Sequence, residues 1–322
     1  MKAAFYEEYG PPEVIEIRDV PKPTPKATEI LIKVHATTVN SGDWRMRSLT
    51  VPTGFGLLVR LALGITKPRQ PILGAELAGE VEAIGTGVTK FKVGDPVFAL
   101  TIRMGCHAEY RCLHEDAAVA LKPANVSFEE AAALSFGGTA ALSFLKRGQV
   151  TRGDQVLVNG ASGAVGLAAV QLAKHFGAQV TGVCSAANVE LVRSLGADAV
   201  IDYTTTDFTK NGETYDVIVD TAGTAPFARC KVSLKSGGRL LQILGGLPDL
   251  LLAPWVTLTS DKKVIGGTAP ERAEDLRYLA ELASKGEYKP VIDRRYSLEQ
   301  IVEAHRYVDT GHKKGSVVIT IA

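Results

Sequence analysis

Val156-Leu-Val-Asn-Gly160-Ala-Ser-Gly163-Ala-Val-Gly166-Leu puts a short apolar strand, a glycine turn and a helix start in immediate succession. The first amides of a helix lack intrahelical partners and sit at the positive end of its dipole, so they attract anions. A glycine at 163 lets the backbone approach phosphate oxygens, and one at 166 lets helix and strand pack closely. Gly160, Ala161, Ser162, Gly163, Ala164, Val165 and Gly166 are therefore expected to grip the diphosphate of a dinucleotide. The spacing is Ala161-x-Gly163-x-x-Gly166, with alanine in place of the first glycine of the usual fingerprint and Gly160 just before it.

About 20 residues beyond such a turn, an NAD site carries a carboxylate for the adenosine ribose. Here the second strand ends in Cys184-Ser185-Ala186-Ala187. With no carboxylate to repel a 2′-phosphate, the expected cofactor is NADPH. Ser185, Asn188 and Tyr203 can supply hydrogen bonds. Arg193 is the nearest cation in sequence, either a phosphate partner or a solvated helix residue.

Cys106, His107, Cys112 and His114 invite a zinc reading. The stretch His107–His114 reads as extended, however, and at about 3.3 Å per residue it would set Cys106 and Cys112 about 20 Å apart. Zinc requires its ligands about 2.0–2.3 Å from one centre. No metal site is expected here.

The elements that must position these groups follow from patterning. Glu29–His35 alternates with Ile30, Ile32 and Val34 on one face, and 80–87 and 93–99 are further short strands with glycine turns. The first third therefore reads as an antiparallel, barrel-like β domain. The texture changes at Lys122-Pro123. Ser127-Phe-Glu-Glu130 is a capping box opening a helix to about Lys146. Strands at 155–159, 179–184, 199–202, 215–220, 239–244 and 263–265 then alternate with helical runs at 164–176 and 189–195. Strands without polar alternation are covered on both faces, as in a doubly wound parallel sheet. The run 240–258, broken by Gly245-Gly246, Pro248-Asp249 and Pro254, reads as a buried strand and then an apolar loop. Helices are expected over 270–285 and from the capping box Ser297–Gln300. The strand 316–321 could return to the first domain.

Thirty-six Lys+Arg against 35 Asp+Glu leave a net charge of +1. Nucleic acid and anionic membrane are thereby disfavoured as main partners. Hydrophobic residues at 46% and charged residues at 22% exclude a disordered chain. Four cysteines and an N-terminus, MKAAFYEEYG, without an apolar core segment point to a cytoplasmic location.

The chain resembles the medium-chain dehydrogenase/reductase superfamily in its zinc-independent quinone oxidoreductase (zeta-crystallin-like) branch. Besides residues 159–166, the resemblance rests on Val39-Asn40-x-x-Asp43, Gly74-Ala-Glu-Leu-Ala-Gly-Glu-Val81 and Gly94-Asp-Pro-Val97. It continues through Gly137-Gly-Thr139-Ala-Ala-Leu142, Leu195-Gly-Ala-Asp198 and Gly311-His-Lys-Lys-Gly315. It implies an α/β chain in which a GroES-like, β-barrel-type catalytic domain (1–122, completed by 268–322) joins a Rossmann doubly wound, parallel six-stranded nucleotide-binding domain (123–267). Zinc alcohol dehydrogenases of the superfamily carry a catalytic cysteine where this chain has Ser41-Gly42. They carry Gly-His-Glu where it has Gly74-Ala75-Glu76, and their four-cysteine lobe is absent. The resemblance thus implies NADPH-dependent, metal-free hydride transfer to quinones or α,β-unsaturated carbonyls, in a homodimer.

It places Asn40 and Thr139 near the nicotinamide, with Ala222, Gly223, Leu244 and Gly245 lining the cofactor. Asp43 would orient the pocket or a water. Other roles stay open: Asn40 could cap a turn, Asp43 a short helix near Trp44, and Thr139 could be an ordinary helix hydroxyl. Phe55–Ala62 could flank the substrate or lie on the surface, and Leu247–Trp255 could line the cleft or a dimer interface. No side chain stands out as a proton donor. An NADPH-binding redox sensor or crystallin-like protein with negligible turnover is the rival reading.

Overall fold

Apolar residues at every second position define the first sheet. In the computed structural model, which describes residues 1–321, β1 (Lys2–Phe5) pairs antiparallel with β2 (Glu16–Asp19). Next comes β3 (Glu29–Val39), on which Ile30, Ile32 and Val34 are fully buried, as the alternation requires. Two short helices follow, α1 (Ser41–Ser48) and α2 (Gly56–Leu63). The chain returns in β4 (Glu76–Ile84), β5 (Pro96–Leu100), β6 (Tyr110–His114) and β7 (Val119–Leu121). β3 pairs antiparallel with both β4 and β6, β4 with β5, and β5 with β7.

Helix α3 (Phe128–Arg147) opens on the expected capping box. Ser127 Oγ accepts the Glu130 N–H at 3.1 Å, and Glu130 Oε2 accepts the Ser127 N–H at 2.9 Å. Then the alternation begins: β8 (Gln155–Asn159), α4 (Ala164–His175), β9 (Gln179–Cys184), α5 (Val189–Ser194), β10 (Ala199–Asp202), β11 (Tyr215–Asp220), α6 (Phe227–Cys230), β12 (Leu234–Gln242), α7 (Leu247–Thr259) and β13 (Lys263–Ile265). The six strands form one parallel sheet in the order β10-β9-β8-β11-β12-β13. The order reverses between β8 and β11, the topological switch point at which such sheets receive ligands.

The remaining elements are α8 (Ala273–Ser284), β14 (Ile292–Ser297), α9 (Ile301–Asp309) and β15 (Ser316–Thr320). β15 pairs antiparallel with β3 and parallel with β14, so the last strand does return to the first sheet.

One expectation is corrected. Residues 247–258 are a helix, not a loop. Pro248 stands in the first turn of α7, where no N–H is needed, and Asp249 Oδ2 accepts the Gly246 N–H at 2.9 Å. Gly245-Gly246 and Pro248 thus punctuate a helix start, and Pro254 lies in the helix interior. The chain forms two compact units. One unit comprises Met1–Val51, Gly56–Phe136 and the residues from Glu271 onward; the other comprises Pro52–Phe55 and Gly137–Pro270. The division falls inside α3, because the first turns of that helix belong with the β sheet: Arg295 and Thr320 both hydrogen-bond to the Glu129 carboxylate.

Candidate active site

In the second unit, the glycine turn is built as its residue types demand. Gly160 has φ +81°, and a Cβ on Gly166 would lie 2.1 Å from the Gly160 carbonyl oxygen, so the helix start can sit on the strand end only without a side chain there. A Cβ on Gly163 would meet nothing closer than that same oxygen at 3.7 Å, so the space before it is open. Ala161 is fully buried, its methyl facing Gly182 of β9, which accounts for alanine in the fingerprint's first position.

Hydrogen bonding divides the seven residues. The Gly160 and Ala161 amides both donate to the Val183 carbonyl, at 3.1 and 2.9 Å, and the Gly163 amide to Gly160 at 3.2 Å. The N–H groups of Ser162, Ala164, Val165 and Gly166 meet no acceptor among the described residues, and no side chain caps α4. Those four amides are what a diphosphate would bind; Gly160 and Ala161 shape the turn. At the switch point, Asp220 ties down the neighbouring loop. Its Oδ1 accepts from Asn159 Nδ2, Ala222 and Gly223 at 2.9, 3.2 and 3.0 Å, and its Oδ2 from Ala225 at 2.9 Å. Ala222 and Gly223 are thus held at the carboxyl end of β11, while Leu244 and Gly245 follow the end of β12.

At the end of β9, Asn188 Nδ2 donates to Ser185 Oγ at 3.1 Å, while the buried Oδ1 of Asn188 has no partner among the described residues. Tyr203 is exposed, and its backbone N–H binds the Cys184 carbonyl. Arg193 is ion-paired with Glu190 at 3.0 Å on the exposed face of α5. One carboxylate does stand nearby: Asp202, opposite Cys184 in the sheet register. It accepts from Thr204 N and Oγ1 at 3.0 and 2.8 Å, and these bonds hold its pKa below the usual carboxylate value. It comes from the third strand, which is why its approach was not legible at the end of the second.

The first unit contains the other predicted residues, Asn40 and Asp43, while Thr139 is buried on α3 in the second unit. Asn40 Oδ1 accepts from Gly42 and Asp43 amides at 2.8 and 3.3 Å, and Asp43 Oδ2 accepts the Asn40 N–H at 2.8 Å. The pair closes a capping box at the start of α1, so Asn40, not Asp43, is the cap. Capping consumes only one end of the Asn40 amide. Its Nδ2, on a side chain 3% exposed, has no partner among the described residues. Asp43 Oδ1 accepts the Gly74 N–H at 2.9 Å, and burial pushes the Asp43 carboxyl above its usual pKa.

Behind this corner lie groups that the sequence reading missed. The Glu76 carboxylate is buried, accepts from the Thr38 hydroxyl and from the Phe136 N–H at 2.5 Å, and is pushed by burial up to about 7. Lys313, half-buried, is pushed down to about 8 by loss of solvent and donates to the Gly315 carbonyl at 2.7 Å. His107 Nε2 bonds the Thr38 carbonyl at 2.9 Å. A fully buried Arg47 binds the Gly10 carbonyl at 2.6 Å and the Asp309 carboxylate. Charged residues inside an alternating strand domain carry no periodic signal, and only the fold brings positions 38, 76, 136 and 313 together.

A catalytic zinc does not fit these residues. Ser41, Gly42 and Ala75 offer no side chain that ligates zinc well, and His107 already spends Nε2 on a backbone carbonyl. Among the described residues, no three His, Cys, Asp or Glu side chains converge on a possible metal position.

Comparison with known proteins sets this geometry among relatives. Residues 26–155 match the family model of the alcohol dehydrogenase GroES-like domain, and residues 195–319 that of the zinc-binding dehydrogenase. The chain is 33% identical to the chloroplast envelope quinone oxidoreductase homolog of Arabidopsis thaliana, over 99% of this chain and 98% of that protein. It is 34% identical to the 2-methylene-furan-3-one reductase of Solanum lycopersicum, over 99% of this chain and 79% of the relative. Among solved structures, the quinone oxidoreductase from Coxiella burnetii superposes with a TM-score of 0.89 at 29% identity, covering 100% of this chain and 99% of the other.

Proposed function

Because the chain belongs to the medium-chain dehydrogenase/reductase superfamily, in its quinone oxidoreductase branch, we propose that it is an NADPH-dependent oxidoreductase that reduces quinones or α,β-unsaturated carbonyls without a metal. The four free amides at Ser162, Ala164, Val165 and Gly166 would hold the cofactor's diphosphate. Ser185 and Asn188 would meet the adenosine ribose and its 2′-phosphate. Asp202 is occupied by Thr204, which reduces its claim on a ribose hydroxyl. When bound, the reduced dinucleotide supplies the hydride.

The observation that carries the reading is the unpartnered, buried Nδ2 of Asn40. An unmet donor in such a place costs about 1–3 kcal/mol unless a ligand accepts from it. Hydride addition to an enone or quinone moves negative charge onto a distant oxygen, and a fixed N–H directed at that oxygen lowers the barrier more than it aids substrate binding. Asp43 keeps the Asn40 backbone in place, and Thr139 is assigned to the nicotinamide end by resemblance. The proton that completes the product is taken from solvent.

A cytoplasmic location accords with four cysteines that are all free thiols. A homodimer would join through β13, which ends the parallel sheet, and the adjoining face of α7, where Leu251, Trp255 and Leu258 are exposed. The functional test follows NADPH absorbance with a panel of quinones and enones, alongside fluorescence titrations with NADPH and NADH. Turnover with at least one acceptor class and tighter binding of NADPH are expected. Absence of turnover across both classes would leave a binding protein, and tighter binding of NADH would overturn the cofactor assignment.

A further inference from the structure

Two buried carboxylates lace the segment that carries Asn40 to the strand start beside it, in opposite directions. Asp43, on α1, reaches the Gly74 N–H. Glu76, two residues further on, reaches back: one oxygen accepts the Thr38 hydroxyl, while its backbone carbonyl takes the Thr37 hydroxyl at 2.5 Å. Its second oxygen accepts the Phe136 N–H from α3 at 2.5 Å. Thr37, Thr38, Asn40, Asp43 and Glu76 are each no more than 3% exposed. A carboxylate is a costly group to enclose in a β-strand, where an apolar side chain of similar volume would fill the space. Two short bonds to separate elements give it a purpose that such a side chain could not serve.

We propose that Glu76 is a positioning residue for the reduction: in its ionised form it clamps the end of β3 between β4 and α3, and so fixes the direction in which Asn40 presents its free amide. The proposal rests on the assignment of Asn40 given above. Ionisation matters because a carboxylate accepts on both oxygens at once. A protonated carboxyl donates from one of them; the Phe136 N–H cannot receive that proton, and Thr38 receives it only by reversing its hydroxyl.

The groups that face Glu76 come from every neighbouring element. Burial and the Asp43 carboxylate hold the proton on it, whereas the Thr38 hydroxyl, the Phe136 amide and Lys313 favour the charge. Burial raises the Tyr288 hydroxyl and the Cys106 thiol, and the Glu76 charge adds to both shifts. The balance places its titration near neutrality, so kcat should rise with pH along a limb centred near 7.

The test uses the full chain with NADPH and its best acceptor. Glu76→Gln should lower kcat by about tenfold, leave KM and the dinucleotide Kd within about twofold, and abolish the limb. In the ligand-free protein it should speed hydrogen exchange of the amides at 38–43 by about tenfold. Thr38→Val, which keeps the carboxylate but removes one bond to its charged form, should retain the limb and move it to higher pH; it also covers the case in which Glu76→Gln folds poorly. Adding Glu76→Gln to Asn40→Ala should cost nothing further, since one acts through the other. An unchanged pH profile and exchange pattern in Glu76→Gln would overturn the proposal, as would multiplicative effects in the double variant. Unchanged turnover in Asn40→Ala alone would refute the Asn40 assignment; the exchange at 38–43 would then still decide whether Glu76 holds the turn, an unmoved pattern refuting that too.

Discussion

Asn40 divides its amide between two tasks: the oxygen closes a helix cap and the nitrogen is left over. Removing it should therefore have separable costs. Asn40→Ala is expected to lower NADPH-dependent enone reduction more than tenfold, about 1.4 kcal/mol or more in barrier. Loss of the cap should also destabilise the protein by about 1 kcal/mol. Asn40→Asp keeps the acceptor, so it should restore thermal stability but not kcat, which steady-state kinetics and thermal melts can check together. Glu76 and Lys313 make a second, pH-dependent prediction. Burial raises the Glu76 pKa from 4.5 to about 7, so the folded chain holds a proton that the unfolded chain releases, and stability falls as pH rises through that interval. Lys313 is lowered from 10.5 to about 8, so the folded chain has shed a proton that the unfolded chain keeps, and stability rises over that interval. Their joint contribution should pass through a minimum between about pH 7 and 8. Melts of Glu76→Gln with Lys313→Met should lose that dip.

At the scale of elements, the strand–turn–helix at 155–175 was legible because each of its requirements is local: an apolar run, glycines at fixed offsets and a helix that starts at once. The capping boxes at Ser127 and Ser297 were legible for the same reason. Asn40-x-x-Asp43 carries the same spacing, yet a cap there was one of several open roles, split between Asn40 for a turn and Asp43 for a helix near Trp44, because the helix start at Ser41 was not placed. α7 was misread because prolines and glycines mark helix starts as readily as loops. Nothing local announces that Glu76 meets Phe136, since a contact between a strand and a helix 60 residues away in sequence is fixed by packing alone. Two variants test the dinucleotide turn. Gly166→Ala puts a methyl against the Gly160 carbonyl and should cost about 1–3 kcal/mol of stability with weaker cofactor binding, read by melts and fluorescence titration. Ser185→Asp supplies the carboxylate missing from the end of β9. It should weaken NADPH by more than about tenfold while sparing NADH.

For the whole molecule, the expected dimer can be probed through α7. Trp255→Asp with Leu258→Asp, both on its exposed face, should yield a monomer in sedimentation velocity if that face is the interface. The path of the chain has a further consequence. β3, at residues 29–39, has β15, at 316–320, as one of its neighbours in the sheet. A ribosome adding roughly 5–20 residues per second makes β3 wait about 15–55 s for that neighbour. Meanwhile the complete six-stranded sheet, encoded in one uninterrupted stretch, can emerge and fold ahead of it. During synthesis, the half-built barrel offers an open backbone edge to other nascent chains. Production yields should thus respond to translation speed and chaperone supply more than the finished protein's stability would suggest.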